Sequence, residues 1–131
     1  MVTRETIEAK LHELNAAENA RHETGVEAVS AKIDQIMAED VQGWRNGTHF
    51  PSRAHERDLE KKAFGALVDY HRTFELMIVD PPYAALTWTI RGTTNGQKVE
   101  APGCSNFEFN EEGRVRRYWM YFNPADFAYR N

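Results

Sequence analysis

The feature that most constrains this chain is a change in hydrophobic period near residue 74. Upstream, apolar residues recur at helical spacing: Ile7, Leu11 and Leu14 behind Thr3, then Val26, Val29, Ile33 and Ile36 behind Thr24. Downstream, the apolar runs are short, extended and punctuated by turns. FELMIVD (74–80) closes at Pro81-Pro82, YAALTWTIRGT (83–93) closes at Thr94-Asn95-Gly96, and KVEAPGCSNFEFN (98–110) leads through Glu111-Glu112-Gly113 into VRRYWMYFN (115–123). Helices first and a meander of long strands after them predict an α+β domain, with the helices on one face of a mainly antiparallel sheet.

Local signals refine this outline. Thr3 is a plausible N-cap, and Thr24-Gly-Val-Glu27 has capping-box spacing. Asp40–Gly47 fits a short strand ending in an Asn46-Gly47 turn. Ser52 is placed to cap a third helix whose Leu59, Ala63, Leu67, Tyr70 and Phe74 fall near one face, and His71 then lies near that helix's C-terminus. A bulge or bend is expected at Pro102-Gly103.

Composition narrows the functional classes. At 131 residues the chain is sized for one domain that folds without staples, and the single cysteine, Cys104, excludes an intrachain disulfide and favours a reducing compartment. No apolar run approaches the ~18 residues of a membrane span and the start lacks a signal-peptide core, so a soluble cytoplasmic protein is expected. Residues 1–40 carry 4 basic and 9 acidic side chains within a net charge of −4, which speaks against nucleic-acid binding. The basic group Arg114, Arg116 and Arg117 reads as a solvated hairpin end or an anion site. P-loop, dinucleotide glycine and Gly-x-Ser-x-Gly signatures are missing, as is any zinc-site spacing, so no cofactor and no metal is expected.

The helix-helix-short strand-helix-meander order resembles the SnoaL-like polyketide cyclases of the nuclear-transport-factor-2-like superfamily. So do the phrases TWTIRGTTNG (87–96), GQKVEAPGCSNFEF (96–109) and GRVRRYWMYFN (113–123). The likeness covers about residues 26–127. It implies a cone: a curved sheet wrapped around helices, open at one end into an apolar pocket, here with residues 1–23 as an N-terminal helical extension of a domain at 24–131. It also implies a homodimer. The last strand agrees, because Tyr118, Met120 and Phe122 alternate with Trp119 and Tyr121, and a sheet apolar on both faces needs a second cover. The chain's own N-terminal segment is the other candidate for that cover.

The resemblance also locates what is missing. Similar enzymes carry an Asp on the last strand, where this chain has Met120, and a further acid where it has Asn123. A thioether cannot shuttle protons at neutral pH, so an Asp-Arg-Asp relay cannot be assembled from Met120. Thr93-Thr94-Asn95-Gly96 joins its strands at once where the cyclases often have a longer segment, implying a shorter lid. The expected ligand is a small, largely apolar, cyclic molecule. The candidate proton-transfer groups are His49, Asp40 and Tyr118, and the candidate ligand contacts are Trp44, Trp88, Asn106 and Met120. Asn106 shares the face of Met120 if the last hairpin closes in simple register; a one-residue slip turns Phe107 inward instead. Glu108, with the same ambiguity, can pair with Arg116. A non-catalytic ligand-binding or dimerisation module is the alternative, favoured by the uncharged Met120 and Asn123.

Overall fold

The computed structural model describes residues 1–63 and 66–127. The first helix, α1 (Arg4–Asn19), starts where Thr3 Oγ1 accepts from the Thr6 N–H at 3.2 Å, and it buries Ile7, Leu11 and Leu14. A single turn, α2 (Arg21–Thr24), separates it from α3 (Val26–Ile36). The expected capping box does not form. Gly25, at φ 92°, occupies the N-cap of α3, and Thr24 Oγ1 donates to the Ala20 carbonyl at 3.1 Å. Thr24 is the last residue of α2, and its hydroxyl turns back onto that turn instead of forward onto α3.

Strand β1 (Met37–Arg45) follows α3 directly, earlier than the sequence pattern suggests, and turns through Asn46 and Gly47, at φ 51° and 86°, into β2 (Thr48–Phe50). Helix α4 (Arg53–Ala63) begins where Ser52 Oγ accepts from the His55 N–H at 3.4 Å. It is shorter than expected. Leu67 and Tyr70 lie in the connection and His71 and Phe74 lie in β3 (His71–Asp80), because β4 (Tyr83–Thr94) is long enough to recruit a pairing partner back to His71. The side chain of Ala63 lies outside the described residues. Leu59 is half-buried, and among the described side chains of α4 the buried ones are Glu56 and Glu60.

Strands β4 and β5 (Gln97–Phe109) form an unbroken ladder around the Asn95-Gly96 turn, with no bulge at Pro102-Gly103. Gly103 serves another purpose: a Cβ there would meet the Trp88 indole at 2.4 Å. Register shifts fall elsewhere: between Met37 and Gln42 of β1, between Phe74 and Leu76 of β3, and between β5 and β6 (Val115–Phe122). Phe109 faces Val115 but Glu108 faces Arg117, so Arg116 is the extra residue and Phe107 stands opposite Tyr118. The sheet order is β2-β1-β6-β5-β4-β3, antiparallel except for the β1–β6 pair. It is a curved, unclosed sheet with the helices on its inner face, the α+β cone the resemblance implies, and α1 is present at its N-terminus.

The core lies between that inner face and the helices, with Val29, Ile33, Val41, Trp88, Val115 and Tyr118 almost fully buried. The outer face keeps Leu76, Ile78, Tyr83 and Tyr121 exposed. No helix among the described residues is long and apolar enough to cross a membrane.

Candidate functional site

The inner face encloses a cavity of about 350 Å³. Most of its wall is apolar, supplied by Leu11 and Leu14 of α1, Phe74 of β3, Trp88 of β4, Phe107 of β5 and Met120 of β6. Two devices shape that wall. The Trp88 indole crosses Gly103 and donates from Nε1 to Ser105 Oγ at 2.9 Å, which satisfies its one polar atom in the interior. The Tyr118 ring crosses Gly43 of β1, where a Cβ would lie 2.4 Å from the ring, and its hydroxyl donates to Glu56 Oε2 on α4.

The rest of the wall is charged, and each charge has a partner. Glu56 pairs with Arg45, the next inward residue of β1 after Gly43. Arg72 Nη2 lies 2.8 Å from Glu18 Oε2, its Nε donates to Asn15 Oδ1 at 2.8 Å, and its backbone is held by Asn15 and Asn19. Arg21 lies over the Tyr70 ring at 3.8 Å, and its Nη2 sits 2.9 Å from Glu60 Oε1. That last contact is close but off the line of a hydrogen bond, so Glu60 Oε1 is buried without an aligned donor.

Burial, and then the nearby charge of Glu18, push the Glu60 carboxyl from an ordinary value of 4.5 up to about 7, against the pull of Arg21, Arg45 and Arg72. Burial likewise raises Glu56, against the pull of Arg45. Burial also raises the Tyr70 hydroxyl, which lies 3.5 Å from Glu18 Oε2. A carboxyl poised near neutrality inside an apolar cavity can both give and take a proton.

Trp88, Tyr118 and Met120 therefore meet in the cavity wall, and the other sequence candidates lie outside it. Trp44 and His49 are cross-strand partners on the outer face. Trp44 stacks on His49 at 4.9 Å between ring centroids and on Trp119 at 5.4 Å. His49 is exposed, with Nε2 2.6 Å from Gln42 Oε1, and Asp40 is exposed on β1. Asn106 is exposed opposite Trp119, because the Arg116 bulge turns Phe107 inward in its place. Asn123 is exposed as well, and its Oδ1 accepts from the Ala125 N–H at 3.0 Å. Arg117 and Arg116 both reach Glu108, at 2.6 and 3.4 Å, so two members of the basic group share one buried carboxylate.

The sequence reading missed Glu18, Arg21, Arg45, Glu56, Glu60 and Arg72. One signal was available: in RAHERDLEKKA, Glu56 and Glu60 stand four apart on a helix with a single large aliphatic residue, so whichever face packs inward carries charge. Among the described residues, no group of three His, Cys, Asp or Glu is arranged to hold a metal ion.

A curved sheet that closes an apolar, acid-bearing cavity against helices defines a class of small cone-shaped α+β proteins. Within that class, the SnoaL-like domain family matches residues 14–118, and the chain belongs to it. No curated protein matches the chain in sequence. Among solved structures, a SnoaL-like protein from Jannaschia sp. CCS1, described as a candidate polyketide cyclase, superposes with a TM-score of 0.79 at 9% identity, over 95% of this chain and 92% of its own. AclR of Streptomyces galilaeus, described as a candidate hydroxylase, gives 0.77 at 19% identity over 92% and 91%. A SnoaL-like protein of Agrobacterium tumefaciens str. C58, described as a candidate isomerase, gives 0.72 at 16% identity over 90% and 97%. At these identities the neighbours speak for the fold alone.

Proposed function

We propose that the chain binds a small, largely apolar, cyclic molecule in the cavity and moves a proton on it, in isomerase- or cyclase-type chemistry. The observation that carries this reading is Glu60: a carboxyl 7% exposed, in a mostly apolar cavity, raised to about 7 and lacking an aligned hydrogen-bond donor on Oε1. In this reading Glu60 gives a proton to the ligand and takes one back, replacing the acid absent from Met120. Glu56 positions Tyr118. Once protonated, Glu56 donates to the phenol oxygen and frees the Tyr118 O–H to reach a ligand oxygen, as an enolate requires. Two proteins of the same fold are described as a candidate polyketide cyclase and a candidate isomerase, chemistry of the class proposed here.

The test is exchange of the α-protons of 2-tetralone, a small, largely apolar cyclic ketone, followed by proton NMR in D2O. Wild type is expected to accelerate exchange, and E60Q to lose at least ~100-fold of that acceleration, the lower range for removing a positioned acid–base group. H49A is expected to exchange at the wild-type rate. Equal rates for E60Q and wild type contradict the reading. No acceleration by wild type, together with retained binding of the ketone, favours the non-catalytic ligand-binding alternative that the uncharged Met120 and Asn123 suggest.

The same proposal includes a homodimer, in the cytoplasmic setting that the lone cysteine favours. Leu76, Ile78, Tyr83 and Tyr121 leave an apolar outer face, and a second copy is its simplest cover. Sedimentation at micromolar protein checks this: a 30 kDa particle is expected, and a 15.1 kDa one contradicts it.

A further inference from the structure

We infer that the ligand of this cavity carries a carboxylate on its apolar ring skeleton and that it is taken up together with one proton. The inference rests on the reading of the cavity as the ligand site and adds the chemistry of the ligand's polar end.

Three observations lead to it. The wall is two-sided: hydrocarbon and aromatic surface make up most of it, and Arg21, Arg45 and Arg72 with Glu18, Glu56 and Glu60 supply the remainder. A molecule that is apolar throughout would leave the charged part of the wall facing a desolvated surface, so the ligand needs one polar end. One buried N–H donor there also lacks an aligned acceptor. Arg45 Nε is buried and finds no acceptor among the described residues, and Arg21 Nη2 meets Glu60 off the hydrogen-bond line. An additional oxygen acceptor is what these guanidiniums lack, and a carboxylate is the planar, two-oxygen group their forks fit.

Charge balance supplies the proton. With all three glutamates ionised, the three arginines are neutralised, and an entering carboxylate would leave one negative charge uncompensated in a low-dielectric interior. Protonation of one glutamate restores the balance. Glu60 is the one placed for it. It faces Glu18 from α1, Arg21 from α2, Arg45 from β1, Tyr70 from the connection before β3, Arg72 from β3, and Tyr118 from β6, with Glu56 one turn away on its own helix. Its carboxyl, already lifted to about 7, is readily held protonated near neutral pH, and a second negative charge nearby lifts it further.

The sign follows from linkage. Below pH 7 Glu60 is already protonated in the free protein, so binding there is independent of pH. Above it, each bound carboxylate draws in a proton, and affinity falls by up to about tenfold per pH unit.

The experiment compares 2-naphthoate with 2-acetylnaphthalene, a neutral ketone of similar shape, by isothermal titration calorimetry from pH 6 to 8.5. The acid is expected to bind at least tenfold more tightly than the ketone at pH 6 and to lose about tenfold per unit above pH 7, while the ketone's affinity stays flat. E60Q, checked for folding by circular dichroism, is expected to bind the acid with a flat profile; the wild-type slope alone is decisive if that variant does not fold. Equal affinities for acid and ketone, or a flat wild-type profile for the acid, overturn the inference and leave the cavity as a binding site. Binding of neither probe overturns both.

Discussion

Strand β6 presents two aromatic surfaces that differ only in which way alternate residues point. Inward, Tyr118 and Met120 meet an enclosed space closed by α1 and α4, where three glutamates and three arginines are also forced to pack. Outward, Trp119 joins Trp44 and His49 in a stack that runs across three strands and stays partly open to water. The strand itself sends two rings each way, Tyr118 and Phe122 inward and Trp119 and Tyr121 outward, so an aromatic ring by itself does not mark a site. Enclosure does: it strips water from a carboxyl and raises its value, as at Glu60, and it compels a buried charge to find a partner, as Arg72 finds Glu18. The outer stack has neither constraint and is free to act as a surface.

The sharpest way to break the contrast is to unpair the inner charges. R72M leaves Glu18 with Arg21, 4.0 Å away, as its cation and removes the Nε bond to Asn15 Oδ1, so it is expected to cost about 3–5 kcal/mol in urea denaturation, the range for stranding one buried partner. G43A puts a methyl group into the Tyr118 ring and should cost about 1–3 kcal/mol, the range for overpacking, and shift the near-ultraviolet spectrum as the ring moves off Glu56.

The pH dependence of stability sharpens the contrast further. Because the folded Glu60 value lies above the unfolded one, the native state holds a proton that the unfolded chain releases between 4.5 and about 7. The contribution of this group is complete below that window and is lost as pH rises through it. E60Q should therefore gain on wild type in melting temperature between pH 5 and pH 8. On the outer face the effects shrink: W44A removes one stacked ring and should cost about 0.5–1.5 kcal/mol beyond its lost area, with affinity for 2-naphthoate unchanged.

Much of the frame was legible because it rests on local chemistry. The Asn46-Gly47 and Asn95-Gly96 turns, the Thr3 cap and the apolar spacing of α1 each act within a few residues. Those features that depend on distant partners were not. Whether Asn106 or Phe107 points inward hinges on the single extra residue at Arg116, which no turn signal announces. The sequence spacing of the third helix points to an apolar face through Leu59; that Glu56 and Glu60 are buried follows only from Arg45, Arg21 and Arg72, which arrive from β1, α2 and β3. Trp44 and Trp88 read alike as aromatic strand residues, and strand phase alone sends the first outward and the second into the cavity.

Those tryptophans provide the most direct test. The chain has three indole N–H groups, one in the cavity wall at Trp88 and two in the outer stack at Trp44 and Trp119. Titrating 15N-labelled protein with 2-naphthoate at pH 6 and following those three signals reports which face binds. Movement of the Trp88 signal, with Trp44 and Trp119 unmoved, is the expected result; movement of Trp44 and Trp119 with Trp88 unmoved would contradict the account.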